Sequence, residues 1–313
     1  MFRSDSEQRD APEVRETAVG RKSDAPKAKS GFWAGVFEFI KVLPVSSAII
    51  LINILVYLIM LFHGVNLLSS TGYDYMKWGA NFGPLTLTGE WWRVITCCFI
   101  HKGLPHLVNN MLLLLLMGWI VEIIFGKRRY AYAYIVTGLF SSYSSLLFHP
   151  EISSVGASGA VFGIVGLLLS GILFNKNMVG FRKGFIGPML GMLAINLLYG
   201  FSKTIDLASH VGGFLTGFVL GGFYALLDWL VSKEKVVFYQ NVMELFFVLL
   251  FIFLLGDMAS NVPAKYILMR RQWDSGVVEK IMERQKAKKQ ATSRYEHSVD
   301  FGILMKNQRI LMS

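Results

Sequence analysis

The chain has 313 residues, 53% of them hydrophobic and 17% charged, with a mean hydropathy of +0.47. Soluble globular proteins carry about 25% charged residues, so a purely water-soluble protein is disfavoured. The formal charge is +10, but the basic residues lie between apolar runs and in the C-terminal tail, a pattern of membrane anchoring that gives no reason to expect a nucleic-acid partner.

Residues 1 to 30 mix Arg3, Arg9, Arg15, Lys22 and Lys27 with Asp5, Glu7, Asp10, Glu13 and Asp24. Such a segment cannot bury enough apolar surface to offset its ordering entropy. It predicts a disordered tail rather than a cleaved signal peptide, whose apolar core would lie nearer Met1. Phe32 to Leu43 is aromatic and apolar, which suits an interfacial segment ahead of Pro44. Residues 1–44 thus form an N-terminal tail.

Seven runs are then long and apolar enough for membrane spans, at 45–64, 106–125, 130–148, 157–174, 185–201, 208–231 and 238–256. The fold class expected is an all-α polytopic membrane protein, with a membrane core at 45–231, a seventh helix within 232–256 and a basic tail at 257–313. The long first loop, 65–105, holds Gly79, Gly83, Pro84, Gly89, Trp91 and Trp92, turn formers and interfacial aromatics expected to fold into the headgroup region. Lys127, Arg128 and Arg129, then Lys176, Arg182 and Lys183, then Lys233 and Lys235 follow spans two, four and six. Those loops, and with them the N-terminus, are expected on the cytoplasmic side. Seven spans leave the tail outside although it carries Arg270, Arg271, Lys280, Arg284 and Lys286; an interfacial seventh run would leave it inside. The two cysteines, Cys97 and Cys98, are adjacent, too close for an ordinary disulfide and too few for a zinc site. No metal or cofactor is expected.

Polar side chains inside spans are costly and mark function. His106 and Asn110 open span two, Ser158 opens span four, and His210 lies in the first turn of span six. By parity these spans run in one direction, so the four groups share one depth. His106 and Asn110, four residues apart, project from one helical face. Ser158, in Gly156-Ala157-Ser158-Gly159, meets the free N–H groups of a helix start. Together they supply a nucleophile, a base and an oxyanion stabiliser, the minimum set for acyl transfer. Gly159 and Gly163, with Gly213, Gly217 and Gly221, permit close helix approach. Simpler roles compete: Ser158 as a helix cap, His106 and Asn110 as interhelical glue. His63, His101 and His149 read as interfacial.

These residues resemble the rhomboid family of intramembrane serine proteases. The match comprises Gly-Ala-Ser-Gly at 156–159, Ser209-His210-Val211-Gly212-Gly213 followed by Gly217, His101 with His106 and Asn110, Gly79-Ala80-Asn81, Gly89-Glu90, Trp92-Arg93 and Glu122. The resemblance covers about 45–230. It implies a six-helix rhomboid-like core, here with a seventh helix added, and a Ser158–His210 dyad without an acidic third member. It further implies oxyanion donors at His106, Asn110 and the Ser158 N–H, loop anchors at Trp92 and Arg93, and a core polar brace at Glu122. The implied substrates are single-pass membrane proteins cut near the outer end of their helix. Phe162 departs from the family, where a Tyr often stacks on the histidine. The alternative is a catalytically inert relative that binds membrane clients.

Overall fold

The computed structural model describes residues 40–175 except Ser69, scattered positions from 178 to 191, residues 206–285, and residues 287 and 288. The N-terminal tail expected at 1–44 lies almost wholly outside the described residues, as do most of the fifth expected span and the far end of the C-terminal tail. Within the described residues the chain is helical, with no strand and one isolated antiparallel bridge, Asn81 to Ser154.

Helix α1 spans Pro44–Phe62. Pro44 suits a first helical position because its missing N–H is not needed there, and Leu43 offers no capping side chain. The cap comes from far along the sequence: the Glu122 carboxylate accepts from the Val45 and Ser46 N–H groups, each at 2.9 Å, and from the Ser46 hydroxyl at 2.7 Å. A buried carboxylate is tolerated there because it meets unpaired helix donors and the positive end of the dipole.

The first loop is ordered. It contains the short helices α2 (Gly72–Lys77), α3 (Gly83–Thr86) and α4 (Arg93–Thr96), then a single turn at Cys97–Phe99. A reciprocal Thr71–Asp74 capping box starts α2. Arg93 is buried and holds the loop together. Its guanidinium donates to the Met76 and Ala80 carbonyls at 2.7 and 3.0 Å and pairs with Glu90 at 2.5 Å. Trp92 lies against that guanidinium, 4.9 Å from ring centroid to Arg93 Cζ.

Helix α5, Leu104–Phe148, runs through both the second and third expected spans. At 1.5 Å per residue, an unbroken helix of that length would far overreach a bilayer. Gly126 breaks it, with φ 81° and ψ 159°. The two legs fold back on each other, as a Cβ at Gly118 would fall 2.4 Å from the Tyr130 hydroxyl.

Helices α6 (Ser158–Phe174), α7 (Leu207–Leu230) and α8 (Lys233–Ser260) follow, and α9 (Ala264–Asp274) leads to further helical residues at 277–285. Among the described residues α1, α5, α7 and α8 are long and apolar enough to cross a membrane. The 17-residue α6 is shorter, and it is central: residues 159–172 are all buried. The surrounding helices turn large apolar groups outward, among them Leu55, Leu112, Leu116, Leu215, Val219, Leu249 and Phe253. In water such a surface would aggregate; against lipid it is the stable arrangement. The fold is an all-α polytopic membrane fold. At the end where α7 passes to α8, Arg129 grips Asp228 through two bonds of 2.7 and 2.8 Å and Arg128 pairs with Glu244 at 2.8 Å, tying α8 to the core.

Candidate active site

Glycine decides how closely α6 and α7 approach. A Cβ at Gly213 would sit 2.0 Å from the Gly159 carbonyl oxygen, one at Gly217 1.8 Å from that of Gly163, and one at Gly221 2.5 Å from that of Leu167. The pairs advance together by four residues, so α6 and α7 run parallel with backbones in contact. Extending that register back by one turn brings the start of α7 over the start of α6. There His210 Nε2 lies 2.8 Å from Ser158 Oγ.

Ser158 is the first residue of α6; the cap position belongs to Ala157, which makes no side-chain capping bond. The capping role weighed for Ser158 is therefore not the one it has. The first N–H with an acceptor behind it is that of Val161, bonded to the Ala157 carbonyl at 3.0 Å. The N–H groups of Ser158, Gly159 and Ala160 have no intrahelical acceptor. Gly156 precedes them at φ 121°, and any Cβ there would fall 2.7 Å from His106 Cε1. Glycine is thus needed both for its backbone angle and for the room it leaves the His106 ring.

His210 stacks on Phe162, with centroids 4.4 Å apart and planes 9° from parallel. The ring contact therefore exists without the hydroxyl of a tyrosine. His210 Nδ1 is buried and has no hydrogen-bond partner among the described residues. His106 accepts at Nδ1 from the Lys102 N–H at 3.2 Å, which assigns its proton to Nε2, the ring nitrogen nearer Gly156. Asn110 spends one amide hydrogen on the His106 carbonyl at 2.8 Å; its NH2 group retains a second. Ser158, His210, His106, Asn110 and Phe162 line one cavity of about 400 Å³.

Trp92, Arg93 and Glu122 lie outside this cavity and act on architecture, the first two within the loop and the third at the start of α1. Gly159 is also hemmed in by Ser141 and Ser209, whose hydroxyls bond at 2.6 Å and link the second leg of α5 to α7. The interfacial placement expected for His101 is corrected: it is fully buried, beside His106 at 5.2 Å between centroids. Burial and the neighbouring His106 push its pKa down to about 3, so it is neutral in the folded protein. His63 and His149 are exposed.

Among the cavity residues that escape sequence reasoning are the two charged ones, Asp206 and Lys102. Asp206 caps α7 by accepting from the Ser209 N–H at 3.2 Å, and Lys102 closes the loop ahead of α5. Burial lowers the Lys102 pKa, and the Asp206 charge works against that fall. The signal for Asp206 was available: Asp three residues before Ser, just ahead of an apolar run, is a helix-start pattern.

The fold and this pair define a class: an integral membrane protein with a serine and a histidine joined inside its helical core. Residues 88–227 match the family model described as the Rhomboid domain. The chain is similar to RHOMBOID-like protein 2 of Arabidopsis thaliana, 40% identical over 130 residues, which are 42% of this chain and 41% of that protein. It is similar to Rhomboid protease GluP of Bacillus subtilis (strain 168), 37% identical over 151 residues, 48% of this chain and 28% of that protein. Inactive RHOMBOID-like protein 8 of Arabidopsis thaliana is 34% identical over 138 residues, 44% of this chain and 39% of that protein. In each case the match spans less than half of the relative's own length.

Proposed function

We propose that this protein is an intramembrane serine endopeptidase in which Ser158 is the nucleophile and His210 its general base and acid. The observation that carries the reading is the 2.8 Å contact between His210 Nε2 and Ser158 Oγ inside a cavity within the helical core. Neutral His210 takes the hydroxyl proton as Ser158 Oγ attacks the scissile carbonyl carbon. The oxyanion that forms is met by the Ser158 N–H, by His106 Nε2–H and by the remaining Asn110 N–H, at the positive end of α6. His210 then gives its proton to the departing amine. Water, deprotonated by the same imidazole, hydrolyses the acyl-enzyme.

Single-pass membrane proteins are the substrates this site suits, since a cavity among spanning helices is reached by a chain lying in the bilayer. The N-terminus is assigned to the cytoplasm because Lys127, Arg128, Arg129, Lys233 and Lys235 gather at the end opposite Ser158. The test compares purified wild type, Ser158→Ala and His210→Ala on a single-pass substrate and with a fluorophosphonate probe. Cleavage and labelling by wild type alone are expected; equal cleavage by all three would end the mechanism. Likeness to a relative named inactive favours the alternative, a client-binding protein, and wild type that neither labels nor cleaves would select it. Because the base must be neutral, activity should be lost in acid once the His210 imidazole is protonated, and a rate that does not fall on acidification while the fold persists would count against His210.

A further inference from the structure

Helix α8 returns the chain to the end of the molecule where Ser158 lies, and α9 with the helical residues after it docks on the first loop. Tyr266 of α9 is buried in a cluster with Leu87, Val94, Leu146 and Phe251. Trp273 meets Tyr73 at 5.3 Å between centroids. Three ion pairs join the same surfaces: Arg270 with Glu90 at 2.6 Å, Lys77 with Glu279 at 2.5 Å, and Lys265 with Glu151. They are not equal. Lys77, Glu279, Lys265 and Glu151 are about half exposed, where an ion pair contributes little, whereas Arg270 and Glu90 are 26% and 17% exposed. Glu90 in turn holds Arg93, the residue that organises the loop.

The loop is bonded to the strip that leads into Ser158. Asn81 and Ser154 exchange both backbone bonds at 3.0 and 2.9 Å, the Gly83 N–H donates to the Pro150 carbonyl at 2.7 Å, and the Gly156 N–H to that of Cys97 at 2.9 Å. Segment 264–285 therefore touches the loop through Glu90, Tyr73 and Lys77 and touches the strip through Glu151.

We propose that residues 264–285 form a positioning clamp, with Arg270 as its principal residue, that holds the first loop against strip 149–157 and so fixes the N–H groups presented at Ser158. Granted the serine-protease reading, on which it rests, this C-terminal segment supports catalysis without touching the reacting atoms. Releasing it leaves the Ser158–His210 pair in place on α6 and α7 but loosens the backbone beside it. Substrate turnover falls while the helical core stays folded.

Two readouts separate the clamp from the chemistry. In the full chain, hydrogen exchange of peptides covering 149–157 is compared between wild type, Arg270→Glu and Arg270→Lys, alongside fluorophosphonate labelling of Ser158 and the thermal midpoint. Arg270→Glu should speed exchange at 149–157 severalfold and slow labelling by a similar factor with the core transition preserved. Arg270→Lys, which keeps the charge, should restore both. A cysteine pair, Lys77→Cys with Glu279→Cys, should cross-link through a short bifunctional maleimide that spans the length of the two replaced side chains. Lys265→Glu should show a smaller effect, reversed by adding Glu151→Lys. Unchanged exchange at 149–157 in Arg270→Glu, or no cross-link, overturns the clamp. Wild type that does not label while exchange still responds to Arg270→Glu upholds the clamp and removes the protease reading instead.

Discussion

Gly213 is where a single added methyl group should separate geometry from chemistry. A Cβ there would sit 2.0 Å from the Gly159 carbonyl oxygen, against 3.4 Å for ordinary contact. That oxygen belongs to backbone and has no rotamer by which to yield, so α6 and α7 must part by about 1.4 Å, the difference between those two distances. Gly159 follows Ser158 directly and Gly213 lies less than one turn beyond His210, so most of the displacement reaches the 2.8 Å contact between Ser158 and His210 and takes it past hydrogen-bond range. Overpacking of this kind costs about 1–3 kcal/mol of stability. Misplacement of reacting groups by about 1 Å costs on the order of 100-fold in rate. Gly213→Ala should therefore lower the thermal midpoint modestly and depress fluorophosphonate labelling far more. Gly222→Ala is the control on the same helix, because its Cβ would meet Ser170 Oγ at an ordinary 3.4 Å. Labelling of Gly213→Ala at the wild-type rate would refute the view that helix separation sets the dyad.

Glu122→Gln retains the shape of the carboxylate but loses its charge and one acceptor at the start of α1, and should cost about 1–3 kcal/mol in thermal or denaturant unfolding; an unchanged midpoint would show that α1 caps itself otherwise. Phe162→Ala removes the ring stacked at 4.4 Å on His210. A stack of this kind is worth about 0.5–1.5 kcal/mol, so labelling should slow by up to about tenfold with the substrate KM little changed. A drop in kcat of that size checks it, and equal rates would assign Phe162 to packing alone. His101 has its folded pKa pushed down to about 3, whereas the unfolded chain titrates near 6.5. The unfolded state therefore binds the extra proton first, and stability is full above about pH 6.5 and lost as pH falls toward 3, by up to about 1.4 kcal/mol per pH unit. The thermal midpoint measured across that range should fall with acid, and His101→Phe should flatten the slope.

Which of these features were legible in the sequence depends on which forces act along the chain and which act across it. Ser158, His210, His106 and Asn110 were placed at one depth by span parity alone, because a helix start reports its level in the membrane. The Gly213 and Gly217 pattern pointed to close approach, but their partners, the carbonyls of Gly159 and Gly163, appear only once the register of two helices is known. Gly126 divides one continuous helix into two legs by a single residue at positive φ, which local propensity cannot distinguish from an ordinary loop. His101 was misassigned because histidine spacing near a span end gives no measure of burial; it lies fully inside, held neutral by what surrounds it.

The basic C-terminal tail shows the same limit from the other direction. As composition, Arg270, Arg271 and Lys280 belong to a basic tail that is in tension with a seventh span carrying it away from the cytoplasm. Two basic groups of the segment have partners that no charge count along the chain reveals. Glu151 and Glu90 lie far from Lys265 and Arg270 in sequence, yet in space each of these two basic groups meets its carboxylate, and Arg270 also pairs with Asp274 one turn on. A long segment can be translocated largely regardless of its charge, so a basic tail does not by itself forbid a seventh crossing. Helix α8 leads to a basic segment at the Ser158 end, where Lys265 and Arg270 bind it to the strip and the loop beside the cavity.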